Sequence, residues 1–69
     1  MNNDELESLF DTAFEQTDYE YEYARKMLYK AFDAYTCGDL ARCAYEVRSF
    51  PMEVYCPTQL EEWAKNYKA

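Results

Sequence analysis

The sequence predicts an all-α fold: a compact bundle of about four short helices with an extended link before the last helix. Three observations point to it. Apolar residues recur at spacings of three and four along most of the chain, the period of a helix with one buried stripe. The single glycine and the two prolines fall between these periodic segments rather than inside them. Short polar residues able to accept from free amides stand where the periodic segments begin. The 69 residues form one small domain, with no linker, low-complexity stretch or internal repeat.

The first helix is expected at about residues 3 to 15. Asn2 or Asn3 can cap it, and Asp4 and Glu5 then lie in its first turn, where acids suit the positive end of the helix dipole. Leu6, Leu9, Phe10, Ala13 and Phe14 make a single apolar stripe. Asp4, Glu7, Asp11 and Glu15 line the opposite side, continued in register by Asp18 and Glu22 if the next break is tight.

The second and longest helix is expected over Thr17 to Thr36, which holds five of the eight tyrosines. Thr17-Asp18-Tyr19-Glu20 has the form of a capping box, in which threonine accepts from the N3 amide and glutamate from the threonine amide. Tyr21, Ala24, Leu28, Ala31 or Phe32, and Tyr35 form the buried stripe, with Met27 beside them, and Glu22 faces Lys26 at i,i+4. Over Tyr19 to Tyr23 aromatic and acidic residues also alternate strictly, which is a strand signal. Helix is preferred because a cap precedes the stretch and no turn residue follows it.

Gly38 can take the left-handed conformation that closes a helix, and Asp39 can cap a third helix from Leu40 to about Ser49, with Leu40, Cys43, Ala44 and Val47 inward. So short a connection folds the second and third helices into an antiparallel hairpin. In Tyr35-x-x-Gly38-Asp39-Leu40-x-x-Cys43 the corner resembles that of a tetratricopeptide repeat. Lys30 and Ala34 depart from that pattern, and no second copy follows at a period of about 34 residues, so no peptide-binding role is carried over. Pro51 and Pro57 make residues 50 to 57 an extended connector whose Phe50, Met52, Val54 and Cys56 share one side. A second capping box, Thr58-Gln59-Leu60-Glu61, starts a fourth helix that buries Leu60, Trp63, Ala64 and Tyr67, with Lys65 and Lys68 at its negative end.

A domain of this size buries only about 60% of its unfolded surface, so it needs reinforcement. An aromatic-rich core is the expected source, since 19% of the residues are aromatic. Cys37, Cys43 and Cys56 are odd in number and lack the paired C-x-x-C spacing of zinc sites, so small core residues are expected rather than metal ligands. No cofactor is expected. The acidic N-terminus is unlike a secretory signal and no apolar run reaches the ~18 residues of a membrane span. With unpaired thiols, this points to a cytoplasmic protein.

Composition argues against catalysis. There is no histidine, so the usual base near neutral pH is missing and no thiol has an imidazole partner. One glycine cannot build a phosphate-cradling loop. Adjacent carboxylates such as Asp4-Glu5 and Glu61-Glu62 diverge on a helix. The expectation is a protein without enzymatic activity.

Charge is unevenly distributed. Residues 1 to 23 carry eight acids and no base, a balance of minus eight, whereas residues 24 to 69 carry six acids and seven bases, a balance of plus one. An acidic front repels a phosphate backbone, so nucleic acid is not expected as a direct ligand, nor is a membrane. It can instead meet a basic protein surface built to hold nucleic acid. Eight charges over a helical front of about 34 Å give one per roughly 4 Å, against one per 1.7 Å for duplex DNA. Exposed pairs contribute only about 0 to 1 kcal/mol each, so aromatic anchors among the acids must supply affinity. The expected partner-binding residues are therefore Asp11, Glu15, Asp18, Tyr19, Glu20, Tyr21, Glu22 and Tyr23.

In size and charge, though not in motif, the chain resembles the small acidic nucleic-acid mimics that phages use as anti-restriction and anti-CRISPR inhibitors. The partner would then be a nucleic-acid-binding protein or complex whose basic surface is occupied. An alternative from another class is an assembly module that self-associates or docks through apolar surface at Phe50, Tyr55, Trp63 and Tyr67.

Overall fold

The computed structural model describes residues 2–67. Its four helices are α1 (Asn3–Gln16), α2 (Glu22–Thr36), α3 (Leu40–Arg48) and α4 (Thr58–Asn66), and no strand forms among the described residues. Each helix packs against the next in sequence, and α4 returns to α1, so the four close into a ring of neighbours. The α2–α3 hairpin is the most intimate of these interfaces.

One residue from each helix meets at the centre: Phe10, Leu28, Cys43 and Leu60 are fully buried. Around them lie Ala13, Ala24, Ala31, Ala34, Ala44 and Ala64, whose small side chains let the helix backbones approach. This corrects the expectation of an aromatic-rich core. Phe10 alone among the aromatic residues is fully buried, Phe14, Phe32, Tyr35, Phe50, Trp63 and Tyr67 are half-buried around an alanine-lined centre, and the remaining tyrosines are exposed. Phe10, Phe14, Phe32 and Tyr35 pack edge-on or tilted with ring centroids 5.5 to 5.9 Å apart across the α1–α2 seam. Trp63 and Tyr67, expected to be buried, are half-buried and lie 5.4 Å apart at the end of α4.

Two of the expected caps form. The Asn2 side chain accepts from the Glu5 amide at 2.8 Å and starts α1. Asp39 accepts from the Arg42 amide at 3.1 Å and starts α3. Between α2 and α3, Gly38 adopts φ 78°, its amide donates to Tyr35 O at 3.0 Å, and the Asp39 amide donates to Ala34 O at 2.9 Å. This pair of bonds is the Schellman closure, and it needs the left-handed residue that glycine supplies.

The two expected capping boxes do not form. At residue 58 the cap position is taken by Pro57, Thr58 is the first helical residue, and Glu61 reaches forward to Lys65 at 2.8 Å instead of back to threonine. Lys68 lies outside the described residues. At residue 17 the outcome is more consequential: α2 begins at Glu22, five residues late, and Thr17 to Tyr21 is a turn, neither helix nor strand.

A candidate partner-binding face on the α1–α2 turn

Thr17 closes α1 rather than opening α2. Its amide and hydroxyl both donate to Ala13 O, at 3.0 and 2.6 Å, while Oγ1 accepts from the Tyr55 amide at 3.1 Å. The residue is buried, so the hydroxyl joins the end of α1 to the connector and is not free to cap a following helix. Asp18 then reverses the chain. Its carboxylate accepts from the Glu20 amide at 2.9 Å and its carbonyl accepts from the Tyr21 amide at 3.2 Å. This is the aspartate turn that competes with helix locally.

The reversal sets the tyrosines outward. Tyr19, Tyr21 and Tyr23 are 65%, 51% and 66% exposed. Tyr21, placed on the buried stripe from sequence, therefore lies outside the core and serves as the N-cap residue of α2, where its carbonyl accepts from the Arg25 amide at 3.1 Å. The Arg25 guanidinium sits 5.6 Å from the centre of the Tyr19 ring, the geometry of a cation–π contact. Its Nε is buried without a hydrogen-bond partner.

Asp11, Glu15, Asp18, Glu20 and Glu22 are likewise exposed. On α1 the buried residues Leu6, Phe10 and Ala13 face the core, and Asp4, Glu7, Asp11 and Glu15 occupy the side turned from them. The ion pairs among the described residues are Arg42–Glu46 at 3.4 Å and Lys65–Glu61 at 2.8 Å. Neither involves an acid from residues 1 to 23, and the expected Glu22–Lys26 pair does not close. The turn also interrupts the acidic row, because α1 ends at Gln16, so Asp18 and Glu22 do not continue it as one helix would. The row on α1 spans about 16 Å from Asp4 to Glu15, one charge per roughly 5 Å, against one per 3.4 Å along a single DNA strand.

The chain matches no known protein family, no curated protein and no solved structure.

Tyr55 and Tyr29, outside the expected set of acids and tyrosines, add exposed aromatic surface. Tyr55, half-exposed, is brought beside the turn by its amide bond to Thr17, across 38 positions of sequence, and no local pattern signals that pairing. Tyr29, 56% exposed, packs against Phe14 at 4.9 Å and extends the aromatic surface along α2. At the other edge Tyr35 donates to Asn3 O at 2.9 Å, and burial, helped by the charges of Glu7 and Asp4 and by Cys43, pushes its phenol above the ordinary value.

The thiols divide by location. Cys43 is core, and burial, with a smaller contribution from Asp39, pushes it up to about 12. Cys56 is half-buried and pushed up to about 11 by burial and then by Glu61. Neither is activated as a nucleophile. Cys37 is exposed at the end of α2, which corrects its expected place in the core. Among the described residues no group of three or more cysteines and acids is arranged to hold a metal ion, and no helix is long and apolar enough to cross a membrane.

Proposed function

We propose that this protein is a non-enzymatic interaction module that occupies the basic nucleic-acid-binding surface of a partner protein, in the manner of the acidic inhibitors that phages direct at restriction and CRISPR effectors. The observation that supports this reading is the turn at residues 17 to 21. It exposes three tyrosines among acids, and none of those acids is in an ion pair among the described residues. Unpaired carboxylates speed encounter with a basic surface and select against acidic ones. Tyrosine rings supply contact area with few rotamers to fix. The turn is held before any partner arrives, by Thr17 at one end and Arg25 over Tyr19 at the other, which lowers the ordering cost of docking.

The test uses the immobilised chain in nuclease-treated lysate of its native host, eluted first with duplex DNA and then with rising salt. The expected result is a DNA-binding protein released by both, no retention of DNA by the free chain, and loss of capture when Glu15, Asp18 and Glu22 are replaced by lysine. Equal capture by a folded triple variant ends the proposal, as does direct DNA binding by the native chain.

A further inference from the structure

Arg25 and Lys26 stand side by side in the opening turns of α2. Both follow Glu22 at the helical spacings of three and four, where a carboxylate and a cation can meet. Among the described residues neither pairs with it. The Arg25 guanidinium lies over the Tyr19 ring, 5.6 Å from its centre, whereas Lys26 is exposed and lies over no ring. Hydration accounts for the difference. A guanidinium is flat and weakly hydrated and stacks on an aromatic face, whereas an ammonium is compact and keeps its water.

The same face has room for more. Tyr19 remains 65% exposed with Arg25 in place, and Tyr21 and Tyr23, 51% and 66% exposed, carry no cation among the described residues. Asp18 is committed to the turn, where its carboxylate accepts from the Glu20 amide. Glu20 and Glu22 are exposed and in neither ion pair of the described residues. Open rings thus lie among open carboxylates, and the combination is complementary to planar cations. We infer that this face selects arginine-rich segments over lysine-rich ones, with guanidinium groups stacking on Tyr19, Tyr21 and Tyr23 while Glu20 and Glu22 supply an attraction that acts on either cation. The inference rests on the front meeting a basic partner, as proposed above, and adds which cation that partner presents.

Isothermal titration calorimetry of the full chain with two synthetic peptides tests this. The peptides are equal in length and charge, one alternating arginine with glycine and the other lysine with glycine. The arginine peptide should bind about tenfold tighter, and rising salt should weaken both. In Y19L/Y21L/Y23L, which keeps apolar bulk and removes the π faces, the two peptides should bind alike. In E20Q/E22Q both should weaken and the preference should remain. All the altered side chains are exposed, and circular dichroism melts matching the native chain establish that the variants fold. Equal affinity of the native chain for the two peptides, or binding of neither, overturns the inference and needs no variant. So does a preference that the leucine variant keeps, or one that E20Q/E22Q loses, since the carboxylates would then make the choice. Capture of a DNA-binding protein from lysate reads the net charge of the front, so it can persist where the arginine preference fails, and the preference can hold where that capture fails.

Discussion

Residues 1 to 23 and residues 24 to 67 differ in how many of their ionisable side chains bond within the fold. In the rear, Arg48 donates to the Ala64 carbonyl near the end of α4, Lys65 pairs along α4 with Glu61, and Arg42 reaches the buried Glu46. Asp39 caps α3. These groups hold the fold together. In the front, Asp18 shapes the turn, and the carboxylates of Asp11, Glu15, Glu20 and Glu22 stand in solvent and make no ion pair among the described residues. A helix bundle of this size gains little from solvated like charges, which repel one another. The contrast leads to the expectation that the front's carboxylates contribute little to the stability of the chain, and it can be broken or sharpened by measurement.

The largest change is expected in alkali, and it belongs to the rear alone, because all the thiols lie there. Folding raises Cys43 from the ordinary 9.0 to about 12 and Cys56 to about 11. The folded state therefore keeps thiol protons that the unfolded chain has already lost. The stability these groups contribute is complete below pH 9 and is lost as pH rises toward 11 and 12. Urea melts at stepped pH should show this decline, and the double variant C43A/C56A should flatten its slope whatever its starting stability. Titration of the native chain with a thiol reagent near neutral pH should modify Cys37 at once and Cys43 only as fast as the protein unfolds.

The next effect sits at the joint between the two regions. Replacing Thr17 with valine keeps the shape and removes the hydroxyl that accepts from the Tyr55 amide and donates to Ala13 O. Leaving a partly buried amide unpaired costs about 1 to 3 kcal/mol. In a chain of this length each kcal/mol moves the melting temperature by roughly 4 to 8 °C. Serine at the same position should recover most of the loss. Hydrogen exchange should show the Tyr55 amide becoming labile in T17V while the Asp39-capped end of α3 keeps its protection.

Thr17 also marks where the sequence ceases to be legible. The starts of α1 and α3 and the end of α2 follow from Asn2, Asp39 and Gly38, each of which acts within five residues of itself. Thr17 and Thr58 satisfy the same local pattern, yet one is engaged by a residue 38 positions away and the other is displaced by Pro57 as cap. A local rule fails where a tertiary bond or a neighbour competes for the same group. The loop was hidden for a related reason: no glycine or proline marks it, and Asp18 alone turns the chain. The periodic apolar residues correctly indicated which faces pack, but periodicity does not distinguish a ring that is buried from one that borders the core. That is why Tyr35 and Trp63, expected inside, border a centre that is lined by alanine. Glu46, buried on α3 against Arg42, follows the helical stripe without looking like a core residue.

The smallest effect is expected in the front itself, and its smallness is what makes it decisive. Neutralising Asp11 and Glu15 as D11N/E15Q removes two exposed charges that make no ion pair or hydrogen bond among the described residues. Surface changes of this kind alter stability by no more than about 0.5 kcal/mol each. Here the direction should be slightly favourable, since like charges on one helix face are thinned. A thermal melt at low salt should show an unchanged or marginally raised midpoint, with the difference vanishing as salt screens the face. A clear loss of stability would mean that these carboxylates hold the fold together as Asp39 does, and the front would then differ from the rear in sign of charge but not in use.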